Sequence, residues 1–342
     1  MTSRELVKAT LEFRNKHDRA PRQLWTLPWA EQHNKEEFDY ITHKYTWDIG
    51  GPAVIYREQS TVSRGDPYKA GEYVDAWGCR FYNINDGFMG EVKEPIVPPE
   101  DEEWEDTSRI VIPEWWLSFD IDQVNEACRS SDQFMLSDAC PRPFEQLQFI
   151  RGTENLYIDL MTRPKGLMRF LEQMHDFYCR VMTKWAQTDV DGLMMMDDWG
   201  TQQSLLINPS VWREIFKPMY RDYINIAHSH GKKMFMHSDG YTMEILPDLI
   251  ELGLDAINTQ IFCMGPENLK QFRGKITFWG EVCRQHILPN GTEEDVERAV
   301  KSVYDNLWQD GGCIAQCEFG PGGKMRNVDR MYAAWDALTA NR

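Results

Sequence analysis

The sequence lacks the features that mark several common functional classes. None of its 342 residues lies in an apolar run long enough to cross a bilayer, and the charged start, Met1 to Glu12, is not typical of a secretory signal. The formal net charge is −17, and no basic patch stands out. Because phosphate backbones are bound by clustered Lys and Arg, we do not expect a nucleic acid as a partner. The lack of a long apolar run leads us to expect no membrane as a partner either. The expected location is the cytoplasm.

Paired cysteine motifs are also missing. The eight cysteines are widely scattered, and none belongs to a C-x-x-C pair. A cytosolic chain with this pattern is not expected to carry a disulfide framework. We interpret the cysteines as core residues, with room for one metal ligand among them.

Helices and strands alternate from Pro164 onward. Apolar periodicity predicts a helix over 166–187, and Asn208-Pro209 is a typical start for the next one. Short apolar strand patterns separate the helices as far as a strand over 312–317. This alternation implies parallel strands with right-handed crossovers, and no G-x-G-x-x-G fingerprint follows a first strand. We therefore predict an α/β fold, a (β/α)8 TIM barrel.

The first half of the chain is less regular and rich in aromatic residues. We predict an exposed helix over 1–22, a first strand over 23–29, and a strand of a hairpin or flap over 79–84. These elements suggest an elaborated N-terminal cap on the barrel. The predicted organisation is a single TIM-barrel domain over 1–342, with the helix, first strand and cap insertions in about 1–150 and regular βα units in about 151–342.

Polar side chains stand at the ends of the predicted strands. In the stretch Lys232 to Gly240, an apolar run ends in His237, Ser238 and Asp239. His237 and Asp239 project to the same side of an extended chain. The carboxyl ends of all the strands of a TIM barrel face one mouth, where active sites lie. The residues expected at this mouth are Asp197, Asp198, His237, Asp239, Asn258, Gln260, Glu281, Cys317 and Glu318.

A catalytic zinc site would explain why His, Glu and Cys converge from separate strands. Zinc accepts imidazole, carboxylate and thiolate ligands, and a catalytic site typically has three protein ligands and one open position. We predict His237, Glu281 and Cys317 as the ligands, with Asp239 as a fourth ligand or as a partner of the imidazole. The alternative is that Cys317 is a small buried apolar residue and that Glu281 caps the following helix.

These segments resemble the uroporphyrinogen decarboxylase superfamily, in which a TIM barrel carries both decarboxylases and corrinoid-dependent methyltransferases. The resemblance runs from about Leu193 to the C-terminus. It rests on Asp197-Asp198-Trp199-Gly200, Phe216-Lys217-Pro218, His237-Ser238-Asp239-Gly240, and Trp279-Gly280-Glu281 with Arg284-Gln285.

The two branches of the superfamily differ in their site residues. The decarboxylases carry an arginine-containing motif after the first strand, whereas the corresponding stretch here, 25–31, has no arginine. The methyltransferases typically bind zinc through a His-x-Cys pair and a later Cys. Here Asp239 stands where the cysteine of the pair would be. A carboxylate in place of a thiolate makes zinc a harder Lewis acid, which suits an oxygen ligand.

The resemblance therefore implies the substrate-side methyltransferase of a corrinoid-dependent O-demethylation system. A methyl group would pass from a methoxylated aromatic to cobalt(I) on a separate corrinoid protein, because the chain has no Asp-x-His-x-x-Gly cobalamin motif. The expected catalytic residues, which position the substrate or protonate its leaving oxygen, are Asp197, Asp198 and Asp239. The expected substrate-binding residues are Trp199, Gln260, Trp279 and Asn258.

Three alternatives stay open. The chain could be a methylcobalamin:thiol methyltransferase, a metal-free decarboxylase of the same superfamily, or a protein that binds a tetrapyrrole or corrinoid without turnover. The sequence also leaves the methyl donor and the oligomeric state open, a homodimer included.

Overall fold

Eleven strands are present in the computed structural model, which describes residues 1–16 and 18–340. In chain order they are β1 (Arg22–Thr26), β2 (Ile49–Gly50), β3 (Gly71–Val74), β4 (Arg80–Asn83), β5 (Glu91–Glu94), β6 (Phe134–Met135), β7 (Gly192–Met196), β8 (Lys233–Ser238), β9 (Ala256–Thr259), β10 (Thr277–Trp279) and β11 (Cys313–Phe319).

Eight of these strands form a closed parallel barrel. Six pair in the order β1-β11-β10-β9-β8-β7, and β2 pairs with β6. The ring closes through backbone hydrogen bonds: Asp48 N donates to Arg22 O at 2.9 Å, and Leu136 forms a parallel bridge with Gly192. The predicted α/β fold, a (β/α)8 TIM barrel, is confirmed.

In the part of the chain that the structure describes, fourteen α-helices surround or cap the strands. They are α1 (Ser3–Leu11), α2 (Pro28–His33), α3 (Lys35–Lys44), α4 (Ile121–Arg129), α5 (Pro143–Arg151), α6 (Thr153–Thr162), α7 (Lys165–Ala186), α8 (Pro209–Ser229), α9 (Leu246–Leu252), α10 (Ile261–Met264), α11 (Pro266–Leu269), α12 (Ile287–Asn290), α13 (Glu293–Leu307) and α14 (Met325–Thr339). Two short 3-10 helices cover Glu114–Leu117 and Lys270–Phe272. Among the described residues, no helix combines the length and the apolar character needed to cross a membrane.

Side chains along each barrel strand alternate between the barrel interior and the outer helices, as the pleat of a strand requires. Phe235, Trp279 and Ile314 belong to one apolar cluster inside the barrel. Met234 and Met236, which flank Phe235 on β8, belong to the larger cluster that includes the outer helices. This alternation decides which residues at the strand ends face the mouth.

The N-terminal helix closes the opposite end of the barrel. Val7 and Leu11 of α1 are buried in the same interior cluster as Phe134, and Gly312 N, directly before β11, donates to Thr10 O at 2.9 Å. The prediction of an exposed helix over 1–22 was wrong, because α1 ends at Leu11 and five of its nine residues are buried.

The cap contains a small antiparallel sheet of strands β3, β4 and β5. The predicted strand over 79–84 is confirmed as β4, which pairs with both neighbours. The β4–β5 turn lies against α2, since a Cβ atom on Gly87 would come within 2.9 Å of Trp29 Cα. Because α2 follows the carboxyl end of β1, this contact places the turn near the barrel mouth.

Candidate active site

Strands β7 and β8 carry the central residues of the mouth. The two strands are parallel and in register, with Met196 opposite His237. His237 lies on the same side of β8 as Phe235 and therefore points into the barrel. Its side chain is 11% exposed, whereas Asp198 and Asp239, just beyond the strands, are 37% and 30% exposed. A shielded imidazole thus lies below two more accessible carboxylates.

Two glycines allow the turns after β7 and β8 to pack backbone against backbone. A Cβ atom on Gly240, whose φ is +79°, would lie 2.1 Å from Gly200 O, and one on Gly200 would lie 2.1 Å from Tyr241 N. Gly200 N donates to Asp239 O at 3.1 Å. This close approach explains why each acidic motif is followed by glycine, and it brings Asp198 and Asp239 side by side.

The ligand atoms of Asp198, His237 and Asp239 form one cluster, all within 4.8 Å of one another. His237 Nε2 lies 3.5 Å from Asp198 Oδ1 and 3.8 Å from Asp239 Oδ1. Ligand atoms that bind one zinc ion at about 2.0–2.1 Å are roughly 3.3 Å apart in tetrahedral geometry. The observed separations are therefore close to those of a zinc site.

Hydrogen bonds fix which nitrogen of His237 faces the carboxylates. Asn258 Nδ2 donates to the backbone oxygen of Trp279, so its amide oxygen must face His237. That oxygen, Asn258 Oδ1, lies 2.6 Å from His237 Nδ1. Because a carbonyl oxygen only accepts, Nδ1 carries a proton, and in the neutral ring Nε2 offers its lone pair to the cluster.

Arg284 links the cluster to two further acidic residues. It donates to Asp239 Oδ2 and to Glu318 Oε2, and its Nη1 lies 3.8 Å from Glu281 Oε2. Glu281 is 5% exposed, and its Oε2 has no hydrogen-bond partner among the described residues. Burial raises the pKa of Glu281 to about 8; Arg284 opposes this rise, and the carboxylates of Asp239 and Glu318 add to it.

The cluster fits a divalent cation. His237 Nε2 and one carboxylate oxygen from each of Asp198 and Asp239 face one another, an arrangement that a cation bound between them would stabilise. The donor set of one nitrogen and two oxygens is within the range that zinc accepts. His237, Asp198 and Asp239 are the residues that would hold the ion, and Asn258 would orient the imidazole ligand.

Cys317 does not join this cluster, which corrects the predicted ligand set. Its neighbours on β11 face inward: Gln316 Oε1 accepts from Asn258 Nδ2 at 3.0 Å, and Glu318 bonds Arg284. By strand alternation Cys317 faces the outer helices, where it belongs to the larger core cluster. Burial raises the pKa of its thiol well above the usual range. Cys317 is the small buried apolar residue of the alternative interpretation.

Asp197 and Trp199 face away from the mouth, contrary to their expected roles. Asp197 is fully buried and accepts from Glu145 N at 2.8 Å, Phe144 N at 3.2 Å and Tyr220 Oη at 2.6 Å. It therefore stabilises the N-terminus of α5. Trp199 is also fully buried and stacks on Phe144, with ring centroids 4.1 Å apart. Neither side chain can reach a substrate at the mouth.

The remaining expected residues lie at or below the mouth. Trp279 is fully buried in the barrel interior, where its Nε1 donates to Gln23 Oε1 at 2.7 Å. Asn258 is 2% exposed and hydrogen-bonds His237, so it is not placed to contact a substrate directly. Gln260 does line a small pocket beside Glu281, and its Oε1 accepts from Gln202 Nε2 at 2.5 Å.

Several site residues were missed by sequence reasoning. Trp25 of β1 lies edge-on to His237, with ring centroids 5.4 Å apart, and is only partly buried. Arg284 follows Glu281 by three residues in a loop without periodicity. Glu145, which pairs with Arg142 at 3.1 Å, has its pKa raised mainly by burial, and the charges of Asp198 and His237 also act on it. The only signal for Trp25 was its place at the end of the first strand.

The chain is similar to one protein family and to several solved structures. The family model described as uroporphyrinogen decarboxylase (URO-D) matches residues 88–338. A solved methyltransferase from Methanosarcina mazei is similar at 16% identity over 77% of each chain, with a TM-score of 0.57. A glycosylated endo-beta-1,4-xylanase from Gloeophyllum trabeum matches at 9% identity over 96% of this chain and 98% of its own, with a TM-score of 0.46.

A search among curated proteins finds no match. At 16% identity, the similarity to the Methanosarcina mazei structure concerns the fold alone. The family match covers well over half of the sequence, including every barrel strand from β6 to β11. The chain belongs to the uroporphyrinogen decarboxylase family.

Proposed function

We propose that the protein is a zinc-dependent methyltransferase, which moves a methyl group from a methoxylated aromatic to the cobalt(I) of a corrinoid on a separate protein. The observation that carries this proposal is the cluster of Asp198, His237 and Asp239, in which the Nε2 lone pair and two carboxylates face one point. The similarity in fold to a methyltransferase from Methanosarcina mazei supports the same class of reaction by analogy.

Bound at this cluster, zinc would supply a Lewis acid toward the ether oxygen of the substrate. The proposed ligands include no thiolate, because Cys317 faces the outer helices. Carboxylate and imidazole ligands donate less charge than thiolates, which favours an oxygen substrate over a thiol. This donor set is the reason for preferring an ether as methyl donor.

The other residues of the mouth hold the ligands and shape the site. Asn258 fixes the His237 tautomer, and Arg284 holds the Asp239 carboxylate in place. Trp25 lies against one edge of His237 and offers an aromatic surface for the substrate ring. In the proposed step the methyl carbon–oxygen bond breaks, its electron pair stays on the oxygen, and the methyl group passes to the nucleophile of the partner.

Decarboxylation of a polycarboxylate is less well supported by the cations at the mouth. Arg284 already bonds Asp239 and Glu318, and Arg142 pairs with Glu145. A substrate with several carboxylates would need free cationic partners. Arginines that are already paired with acidic residues of the protein do not offer free cationic partners to a substrate.

The proposal is tested by methyl transfer in a purified system. Zinc-supplemented protein, 2-methoxyphenol and free cob(I)alamin are expected to form methylcobalamin, followed by its absorbance, and a chelator is expected to stop the reaction. The His237→Ala variant should lose at least about 100-fold in rate, since a metal ligand is removed. His230→Ala, at the exposed end of α8, is the matched histidine control.

Two results would contradict the proposal. One is full activity in the presence of a chelator. The other is the absence of transfer from any ether combined with demethylation of methylcobalamin by a thiol, which would favour the thiol methyltransferase.

A further inference from the structure

A small pocket lies beside the cluster, and Glu281 forms part of its wall. The other residues that line it include Gln202, Gln260, Phe262 and Arg284. The Glu281 side chain is 4% exposed, yet its Oε2 has no hydrogen-bond partner among the described residues. The nearest cationic nitrogen, Arg284 Nη1, is 3.8 Å away, beyond hydrogen-bond distance.

An unpaired buried carboxyl oxygen is costly to the folded protein. Such an atom destabilises the fold, because it has lost its hydrogen bonds to water without gaining others, and buried polar atoms are normally paired. A polar atom that stays unpaired beside a pocket can find its partner in a ligand. Burial also raises the pKa of Glu281 to about 8, so near neutral pH the group can both donate and accept a hydrogen bond.

The remaining lining does not favour a charged ligand. Gln202 and Gln260 are neutral and bond each other, and Phe262 is apolar. Arg284 is occupied by Asp239 and Glu318. Of the residues that line the pocket, none offers a free positive charge to a carboxylate or a phosphate. The pocket therefore suits an uncharged group that contains a hydroxyl.

From this geometry we propose that Glu281 binds a hydroxyl group on the same ring as the methyl ether, so that the substrates are hydroxylated aryl methyl ethers. The inference rests on the proposed function. Arg284 touches Asp239 of the cluster with one nitrogen and approaches Glu281 with another. The proposed hydroxyl site at Glu281 and the proposed ether site at the cluster therefore both lie next to the guanidinium of Arg284.

Such a contact predicts strong discrimination. A site that hydrogen-bonds a substrate hydroxyl rejects the analogue without it, because the buried polar group of the protein is then left unpaired. For one buried carboxyl group we expect a difference in Kd of about 100-fold.

The test is calorimetric binding to zinc-supplemented protein, which does not require turnover. The ligands are 2-methoxyphenol, methoxybenzene and 1,2-dimethoxybenzene, the last as a control for size without a hydroxyl donor. The wild type should bind 2-methoxyphenol about 100-fold more tightly than either ether without a hydroxyl. Glu281→Leu should abolish this preference, whereas Glu281→Gln, which still donates and accepts, should retain part of it.

Equal affinities in the wild type, or a preference that survives in Glu281→Leu, would overturn the inference. Loss of zinc from Glu281→Leu would overturn it as well, because Glu281 would then act as a metal ligand. A protein that shows the preference but transfers no methyl group would contradict the proposed function and leave the hydroxyl contact established. The two proposals can therefore fail separately.

Discussion

Asn258 determines which nitrogen of His237 faces the cluster: its Oδ1 lies 2.6 Å from Nδ1, while its Nδ2 is held by the backbone oxygen of Trp279. If the Asn258 amide were rotated by 180°, its Oδ1 would face the backbone oxygen of Trp279, and two acceptor oxygens would oppose each other. Nε2 is consequently directed toward Asp198 and Asp239. The proposed metal site thus depends on a residue that is not one of its proposed ligands.

Replacing Asn258 by alanine is expected to weaken zinc binding by about 10–100-fold, since partners that orient a histidine ligand have effects of this size. Competition with a chromophoric chelator measures the affinity. Asn327→Ala is a matched control, because Asn327 is also a buried asparagine but bonds backbone oxygens near α12. An unchanged affinity in Asn258→Ala would show that His237 is oriented by other contacts.

The Gly200–Gly240 contact should be intolerant of any side chain. Gly240→Ala places a Cβ atom 2.1 Å from Gly200 O at a φ of +79°, so the two turns must separate. We expect a lower melting temperature and weaker zinc binding, because Asp198 and Asp239 move apart. Gly231→Ala also has a positive φ of +69° but meets no atom within 4 Å, and it isolates the effect of backbone strain. Equal behaviour of the two variants would mean that the close contact does not position the acidic residues.

Asp197 is expected to act on stability. Asp197→Ala removes the acceptor of two α5 amides and of Tyr220, and should lower the free energy of unfolding by about 2–4 kcal/mol. Urea unfolding measures the change. The folded fraction should bind zinc normally. A variant with wild-type stability and no methyl transfer would return Asp197 to the catalytic role expected from the sequence.

A partly buried ion pair between Lys233, at the start of β8, and Asp255, directly before β9, should make stability depend on pH. Burial opposes ionisation of Asp255, but hydrogen bonds from His228, Met234 N and Lys233 hold its pKa below the usual value. A depressed carboxyl pKa stabilises the fold above the unfolded-state value of about 3.9, and this contribution is lost as the pH falls through the folded-state pKa.

Asp255→Asn should therefore be less stable than the wild type by about 1–2 kcal/mol at pH 7. The difference should shrink once the pH falls below about 4. Thermal unfolding at several pH values measures both. A difference that persists unchanged at low pH would assign the effect to packing.

The long elements of the barrel could be predicted from sequence because their patterns are strong. The apolar run of β7, the periodicity of α7, and the Asn208-Pro209 start of α8 all correspond to the structure. Strands β2 and β6 were not found, because each has two residues and is defined by pairing with its neighbours. The burial of α1 depends equally on contacts distant in sequence.

The site could be predicted at the level of strand ends but not of side-chain direction. The apolar run of β8 is clear in the sequence, and His237 and Asp239 lie at the carboxyl end of that strand. On β11 the chemistry of cysteine suggested Cys317, whereas alternation from Gln316 assigns the inward face to Glu318. A shift of one residue along a strand exchanges its two faces. The sequence alone did not determine which residues of β11 face the barrel interior, because this strand is buried on both sides.

Metal content of the purified protein tests the central claim most directly. Wild type, His237→Ala and Cys317→Ala are compared by elemental mass spectrometry after purification in zinc-containing buffer. The cluster of Asp198, His237 and Asp239 predicts about one zinc per chain in the wild type and in Cys317→Ala, and little in His237→Ala. Zinc that is retained in His237→Ala, or lost from a folded Cys317→Ala, would contradict the proposed ligand set.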